Sequence, residues 1–167
     1  MIVGLMRHGI AEDAGERTGH RDEPRRLTAE GRRRIIREAK GIRHLGLEVD
    51  RVLTSPLTRC EETAQIVADS CGWEIRTDQR LRPGLDVETL LDVLLEYPEA
   101  RGLIICGHQP DMSQVVSDLI GGGDVEFKKG ALSIIDLADM RPRGGVLLSH
   151  CPPQLLRRLG GTVGDEA

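Results

Sequence analysis

Aromatic residues are nearly absent from this 167-residue chain, which has one Phe, one Trp and one Tyr. Proteins that hold nucleic acid stack bases on aromatic rings or carry a surplus of Lys and Arg. This chain has neither, since its formal net charge is −4, and nucleic acid is not an expected partner. No apolar run approaches the ~18 residues of a membrane span, and no basic segment ahead of a long apolar one opens the chain. A soluble, cytoplasmic protein without a membrane partner is expected. The four cysteines, Cys60, Cys71, Cys106 and Cys151, form no CxxC pair and no zinc-type spacing, which points to reduced thiols. No internal repeat or linker divides the sequence. Its length suits one domain over residues 1–159, with a flexible tail over residues 160–167.

What the chain does have is short apolar runs that end in polar groups. Ile2, Val3, Leu5 and Met6 read as a strand covered on both faces, and the run stops at Arg7-His8-Gly9. A long polar stretch from Ile10 to Arg26 follows, of the kind that is usually functional or mobile. Thr28 is placed to cap a helix whose Ile35, Ala39, Ile42 and Leu45 form one buried stripe. Its other faces carry Arg32, Arg33, Arg34, Arg37, Lys40 and Arg43, read as a solvated basic surface.

Val49 to Leu53 reads as a second strand. After it, Ser55 is positioned as a helix cap with Pro56 in the first turn, which puts Arg59 near a helix N-terminus. A short strand over Trp73 to Thr77, a loop at Leu81 to Gly84 and a helix marked by Val87, Leu90, Leu91, Leu94 and Leu95 come next. Leu103 to Cys106 repeats the opening pattern, a buried strand followed by Gly107-His108. A helix from Asp111 to Ile120 and two strands, Ala131 to Leu137 and Gly145 to Ser149, complete the chain. This alternation predicts an α/β fold, a mostly parallel central sheet with helices on both faces and a late antiparallel strand.

Parallel strands point their carboxyl ends the same way, so Arg7, His8, Arg59 and His108 are expected to meet at one edge. Two arginines and a helix N-terminus suit a phosphate dianion, and Gly9 is expected to let the backbone turn and approach it. A neutral imidazole in such a pocket is a nucleophile towards phosphorus, and a second histidine is able to donate a hydrogen bond to the same oxygens. The scheme requires no metal and no cofactor. His20, His44 and His150 read as structural.

These residues resemble the histidine phosphatase superfamily, the phosphoglycerate-mutase-like fold, and within it the small bacterial phosphohistidine phosphatases of the SixA type. The likeness runs from about Met1 to His150 and rests on four stretches. They are Leu5-Met6-Arg7-His8-Gly9, Arg25-Arg26-Leu27-Thr28-Ala29-Glu30-Gly31, Val52 to Ala64 with its Thr54-Ser55-Pro56-Leu57-Thr58-Arg59, and Ile105-Cys106-Gly107-His108-Gln109-Pro110. The resemblance implies a three-layer α/β/α sandwich without a metal, with His8 phosphorylated in turnover and Arg7, Arg59 and His108 around the phosphate. It places a further substrate-binding arginine at Arg25, with Arg26, which stands where a proline is common, as the alternative. Ser55 and Gly9 join the expected substrate-binding set.

Larger members protonate the leaving alkoxide with a carboxylic acid in an inserted segment. Here that span is short, and Asp86 and Glu88 are the nearest candidate donors. A phosphorylated imidazole leaves without much proton help, so the expected activity is hydrolysis of phosphohistidine on a signalling or carrier protein. The alternatives are a small-molecule phosphomonoesterase or mutase acting on a phosphorylated metabolite, and a non-catalytic phosphate-binding module that docks through the basic helix from Thr28 to Leu45.

Overall fold

The computed structural model describes residues 1–161. Six strands form one sheet: β1 (Ile2–Arg7), β2 (Arg51–Thr54), β3 (Glu74–Thr77), β4 (Gly102–Gly107), β5 (Leu132–Leu137) and β6 (Gly145–Cys151). Their spatial order is β3-β2-β4-β1-β5-β6. The first four are mutually parallel, β5 runs antiparallel to β1, and β6 antiparallel to β5. The strand that opens the sequence is therefore central, flanked by β4 and β5.

Five helices cover the sheet: α1 (Ala29–His44), α2 (Thr58–Cys71), α3 (Val87–Leu95), α4 (Asp111–Ile120) and α5 (Pro153–Gly161). Alternate side chains of the inner strands serve opposite faces. Val3, Leu5, Leu103 and Ile105 pack with Leu90, Leu94, Val115 and Val116 of α3 and α4. Met6, Ile104 and Cys106 pack with Ile35, Ala39, Val67 and Leu156 of α1, α2 and α5. Both faces are thus buried, which is why these strands read as continuous apolar runs rather than alternating ones. Among the described residues no helix is long and apolar enough to cross a membrane.

Thr28 caps α1 as expected, its hydroxyl accepting from Gly31 N–H at 2.9 Å. Strands β3, β4 and β5 differ from their expected bounds by a single residue at one or both ends, and three elements differ by more. Strand β2 starts at Arg51 rather than Val49 and runs to Thr54, and β6 extends to Cys151. Helix α5 is the third difference, since no element is expected after Ser149 and a tail is expected from Gly160. It forms because Pro153 occupies a first turn, where its missing N–H costs nothing, and because the glycines allow close packing. A Cβ on Gly41 or Gly160 would stand 2.1 or 2.0 Å from the carbonyl oxygen of Leu156 or Arg37, respectively. The expected tail over residues 160–167 therefore loses Gly160 and Gly161 to this helix, and its remainder lies outside the described residues.

Candidate active site

The carboxyl ends of β1, β2 and β4 converge. His8 N–H continues the β1 ladder onto the Gly107 carbonyl at 3.1 Å, and Ser55 N–H reaches the Cys106 carbonyl at 3.1 Å, so the residues beyond three strands are tied side by side. The His8 and His108 rings lie with centroids 5.5 Å apart and planes tilted by 59°. Arg59, in the first turn of α2, lies between them: its Nε donates to His8 Nε2 at 3.2 Å and its Nη2 to His108 Nδ1 at 3.2 Å. His8, Arg59 and His108 are all buried.

Arginine only donates, and a carbonyl only accepts, so these contacts settle both tautomers. His8 Nδ1 donates to the Gly9 carbonyl at 2.7 Å, which leaves the lone pair on Nε2, facing Arg59. Burial pushes the His8 pKa down to about 3; the Gly9 carbonyl opposes this, while Arg59, His108 and Arg7 add to it. His8 is accordingly neutral at neutral pH. His108 accepts at Nδ1, so its Nε2 carries the proton and donates to Ser55 Oγ at 2.8 Å. Both of its nitrogens are committed, so the spare donor expected of the second histidine is not free in this arrangement.

Arg7 adds positive charge from the other side. Its Nη1 donates to the Phe127 carbonyl at 2.7 Å, its Nε is buried without a partner, and burial lowers its pKa. The Arg7 Nε is thus a buried donor without a partner, on the residue just before His8.

Several expected residues take other positions. Ser55 is fully buried and does not cap α2, whose N-cap is Leu57; its hydroxyl is occupied by His108 instead. Gly9 is explained by packing rather than by a sharp turn towards an anion. Its N–H donates to Thr63 Oγ1 at 3.1 Å, and a Cβ there would lie 2.6 Å from Ile35 Cγ1. The first N–H of α2, on Thr58, is likewise taken, by the Glu23 carbonyl at 3.2 Å.

Arg25, rather than the exposed Arg26, is drawn towards the pocket. Its Nε donates to the Glu12 carbonyl and its Nη1 to Asp22 Oδ1 at 2.8 Å. Asp86 is not brought to the histidines: it is the N-cap of α3 and accepts from Thr89 N–H at 2.8 Å, a bond that lowers its pKa. It borders a cleft of about 500 Å³ that Pro110 and Asp111 also line. A carboxylate committed to a cap and ionised at neutral pH is poorly suited to give up a proton there. Glu88, in the first turn of α3, is exposed.

Two residues that were not expected at the site complete it. Cys60, one residue beyond Arg59, places Sγ 3.5 Å from His108 Nε2, and burial, helped by Cys106, raises its pKa well above that of an ordinary thiol. Asp22 accepts from Arg59 Nη2 at 2.9 Å as well as from Arg25. Burial at the pocket mouth works against the ionised carboxylate, but the bonds from Arg25 and Arg59 outweigh it and hold its pKa below the usual range. The spacing of Asp22 three residues before Arg25 was the available clue. Among the described residues no group of three or more His, Cys, Asp or Glu side chains is arranged to hold a metal ion.

Comparison with known proteins agrees with this geometry. Residues 3–83 match the family described as the histidine phosphatase superfamily (branch 1). An uncharacterized protein of Picosynechococcus sp. is 36% identical over 118 residues, which make up 68% of this chain and 70% of that protein. A protein of Cronobacter sakazakii named "Probable phosphoglycerate mutase GpmB" is 36% identical over 115 residues, 65% of this chain but 51% of its own length. This chain thus spans about half of that relative. Among solved structures, the protein histidine phosphatase SixA complexed with tungstate superposes with a TM-score of 0.80 at 26% identity, covering 93% of this chain and 99% of the other. The alpha-ribazole phosphatase of Shigella flexneri shares the fold, with a TM-score of 0.67 at 19% identity, covering 92% and 97% of the two chains. With the sheet order, the paired histidines and these matches in agreement, the chain belongs to branch 1 of the histidine phosphatase superfamily and has its phosphoglycerate-mutase-like fold.

Proposed function

We propose that this chain is a phosphatase that hydrolyses phosphohistidine on a protein by way of a phosphoryl group carried on His8. The observation that carries the reading is the His8 ring itself: neutral, fixed by Gly9, with its Nε2 lone pair inside a cluster of arginines. In the first step His8 Nε2 forms a bond to phosphorus as the bond from phosphorus to the substrate nitrogen breaks, and the departing imidazole takes a proton from solvent. Arg59 and Arg7 offset charge on the equatorial oxygens. In the second step water attacks phosphorus, the bond to His8 breaks, and inorganic phosphate leaves.

The leaving group decides the substrate class. Among the described residues no protonated carboxylic acid is hydrogen-bonded to either histidine, and the pocket's own carboxylate, Asp22, is kept ionised by its arginines. An alkoxide needs an acid in the pocket to protonate it as it leaves, whereas an imidazole needs little such help and takes its proton from solvent. The likeness to the SixA structure supports the same reading. The second reading, a small-molecule phosphomonoesterase or mutase, is favoured by the relatives that carry the GpmB name.

A panel of phosphohistidine protein, phosphoserine, phosphosugars and p-nitrophenyl phosphate separates the two. The expected outcome is a kcat/KM on phosphohistidine at least about 10²-fold above that on any alkyl phosphate, with activity kept in EDTA. Preference for an alkyl phosphate would replace this reading with the second. Turnover of any of these substrates rejects a purely phosphate-binding module.

A further inference from the structure

The carboxylate of Asp22 stands where an anion belongs. Its Oδ2 accepts from Arg59 Nη2 at 2.9 Å, its Oδ1 from Arg25 Nη1 at 2.8 Å, and its backbone carbonyl from Arg59 Nη1 at 3.1 Å. Arg59 thereby spends every nitrogen on the protein itself, because Nε is given to His8. Carboxylate and phosphate oxygens compete for the same guanidinium edges. We propose that Asp22 is a built-in substitute for the substrate phosphate: it holds Arg25 and Arg59 in the resting protein and is displaced when a phosphoryl group enters. This inference rests on the phosphatase reading above.

The geometry makes the exchange a side-chain event. The Asp22 side chain is 51% exposed and that of Arg59 6%, so the acid lies on the solvent side of the guanidinium and leaves by rotating into water. The backbone has no need to follow. Glu23, the next residue, is pinned by Thr58 N–H on its carbonyl at 3.2 Å and by Arg82 on its carboxylate at 2.8 Å. Because the Asp22 carbonyl keeps Arg59 Nη1, the arginine stays tethered at that nitrogen when the carboxylate goes, and the rest of the guanidinium is able to pivot about it. One N–H of Arg59 Nη2, whose other N–H stays on His108, and one of Arg25 Nη1 are then free, and a negative charge has left the mouth of the pocket.

The exchange also acts on the nucleophile. Arg59 Nε donates to the very lone pair, on His8 Nε2, that must reach phosphorus. A phosphoryl group that draws the guanidinium towards its own oxygens loosens that bond and exposes the lone pair. Substrate entry and arming of His8 become one event, and the return of Asp22 helps to expel product phosphate.

The test is equilibrium binding of inorganic phosphate and orthovanadate to the unmodified protein, Asp22→Asn and Asp22→Ala, with thermal melts as a check on folding. The expected result is about ten-fold tighter binding in both variants, with product inhibition by phosphate strengthened by the same factor. A carboxylate that only orients the arginines predicts weaker binding in both, and weaker or unchanged binding overturns the proposal. Nitrogen NMR of the imidazoles adds a measurement on the unmodified protein. The His8 Nε2 signal is expected to move on phosphate binding, and a signal that stays fixed at saturation overturns the coupling to His8. An unmodified protein that binds neither anion overturns the phosphate pocket and the substitute together. Tighter binding in the variants, with phosphohistidine left unhydrolysed by the unmodified protein, keeps Asp22 in its role and rejects the substrate assignment alone.

Discussion

Strands β1 and β4 lie side by side, run the same way, and each delivers a histidine to the same edge of the sheet. The sequence around the two is nearly symmetric, since a buried apolar run is followed by a histidine next to glycine in both. Their chemistry is not symmetric. His8 donates through Nδ1 to its own neighbour's carbonyl and keeps its Nε2 lone pair for the pocket, whereas His108 has Nδ1 on Arg59 and Nε2 on Ser55. The hydrogen bond at the far nitrogen decides what the near one does. A backbone carbonyl leaves His8 with a lone pair facing the pocket; a serine leaves His108 a fixed polar wall that holds Arg59.

Breaking the pair should therefore give unequal losses. His8→Ala is expected to remove turnover by more than about 10⁴-fold, together with acid-labile phosphate labelling of the protein. His108→Ala should cost about 10²- to 10³-fold in kcat but still allow slow labelling, measured by single-turnover quench. Equal losses, or labelling that survives without His8, would erase the distinction.

Acid sharpens the contrast in stability. The His8 pKa is lower in the folded protein than in the unfolded chain, so between about 6.5 and about 3 the unfolded state binds the extra proton. Stability linked to His8 is fully present above pH 6.5 and falls as the pH drops, by at most about 1.4 kcal/mol per pH unit. Urea denaturation across that range should show a steeper decline for the unmodified protein than for His8→Asn. The smallest effect is expected for Ser55→Ala, which leaves the His108 Nε2 proton without its acceptor. A loss of about 1 kcal/mol in stability and a drop of ten-fold or less in kcat should follow, and an unaltered His108 imidazole signal would show that Ser55 does not set its tautomer.

Much of this was readable from the chain because the inner strands are buried on both faces and stop abruptly at polar residues. That pattern exposed Arg7, His8 and His108, and the strand-to-helix junction exposed Arg59. What escaped lies where function depends on contacts distant in sequence. Asp22 sits in a polar stretch without periodicity, and nothing local marks it as the partner of Arg59, 37 residues on. Gly9 was legible as a glycine but not for its reason, since Ile35 of α1 supplies the crowding. Ser55 had the features of a helix cap, and only the fold shows its hydroxyl turned to His108. Helix α5 was hidden because it opens on a proline and closes on glycines, residues that usually end helices, yet α1 packs close enough to require Gly160.

The central place of β1 has a consequence for the order in which the site matures. Ile2 pairs with Gly102 on one side and with Asp136 on the other, so neither ladder of the strand that carries His8 can be laid down until about a hundred further residues have been synthesised. A ribosome-bound chain that has grown only as far as α3 displays Arg7 and His8 on an unpaired strand, with no His108 across from them and no wall from β5. His8 is thus made early and meets His108 and the β5 wall only late in the chain.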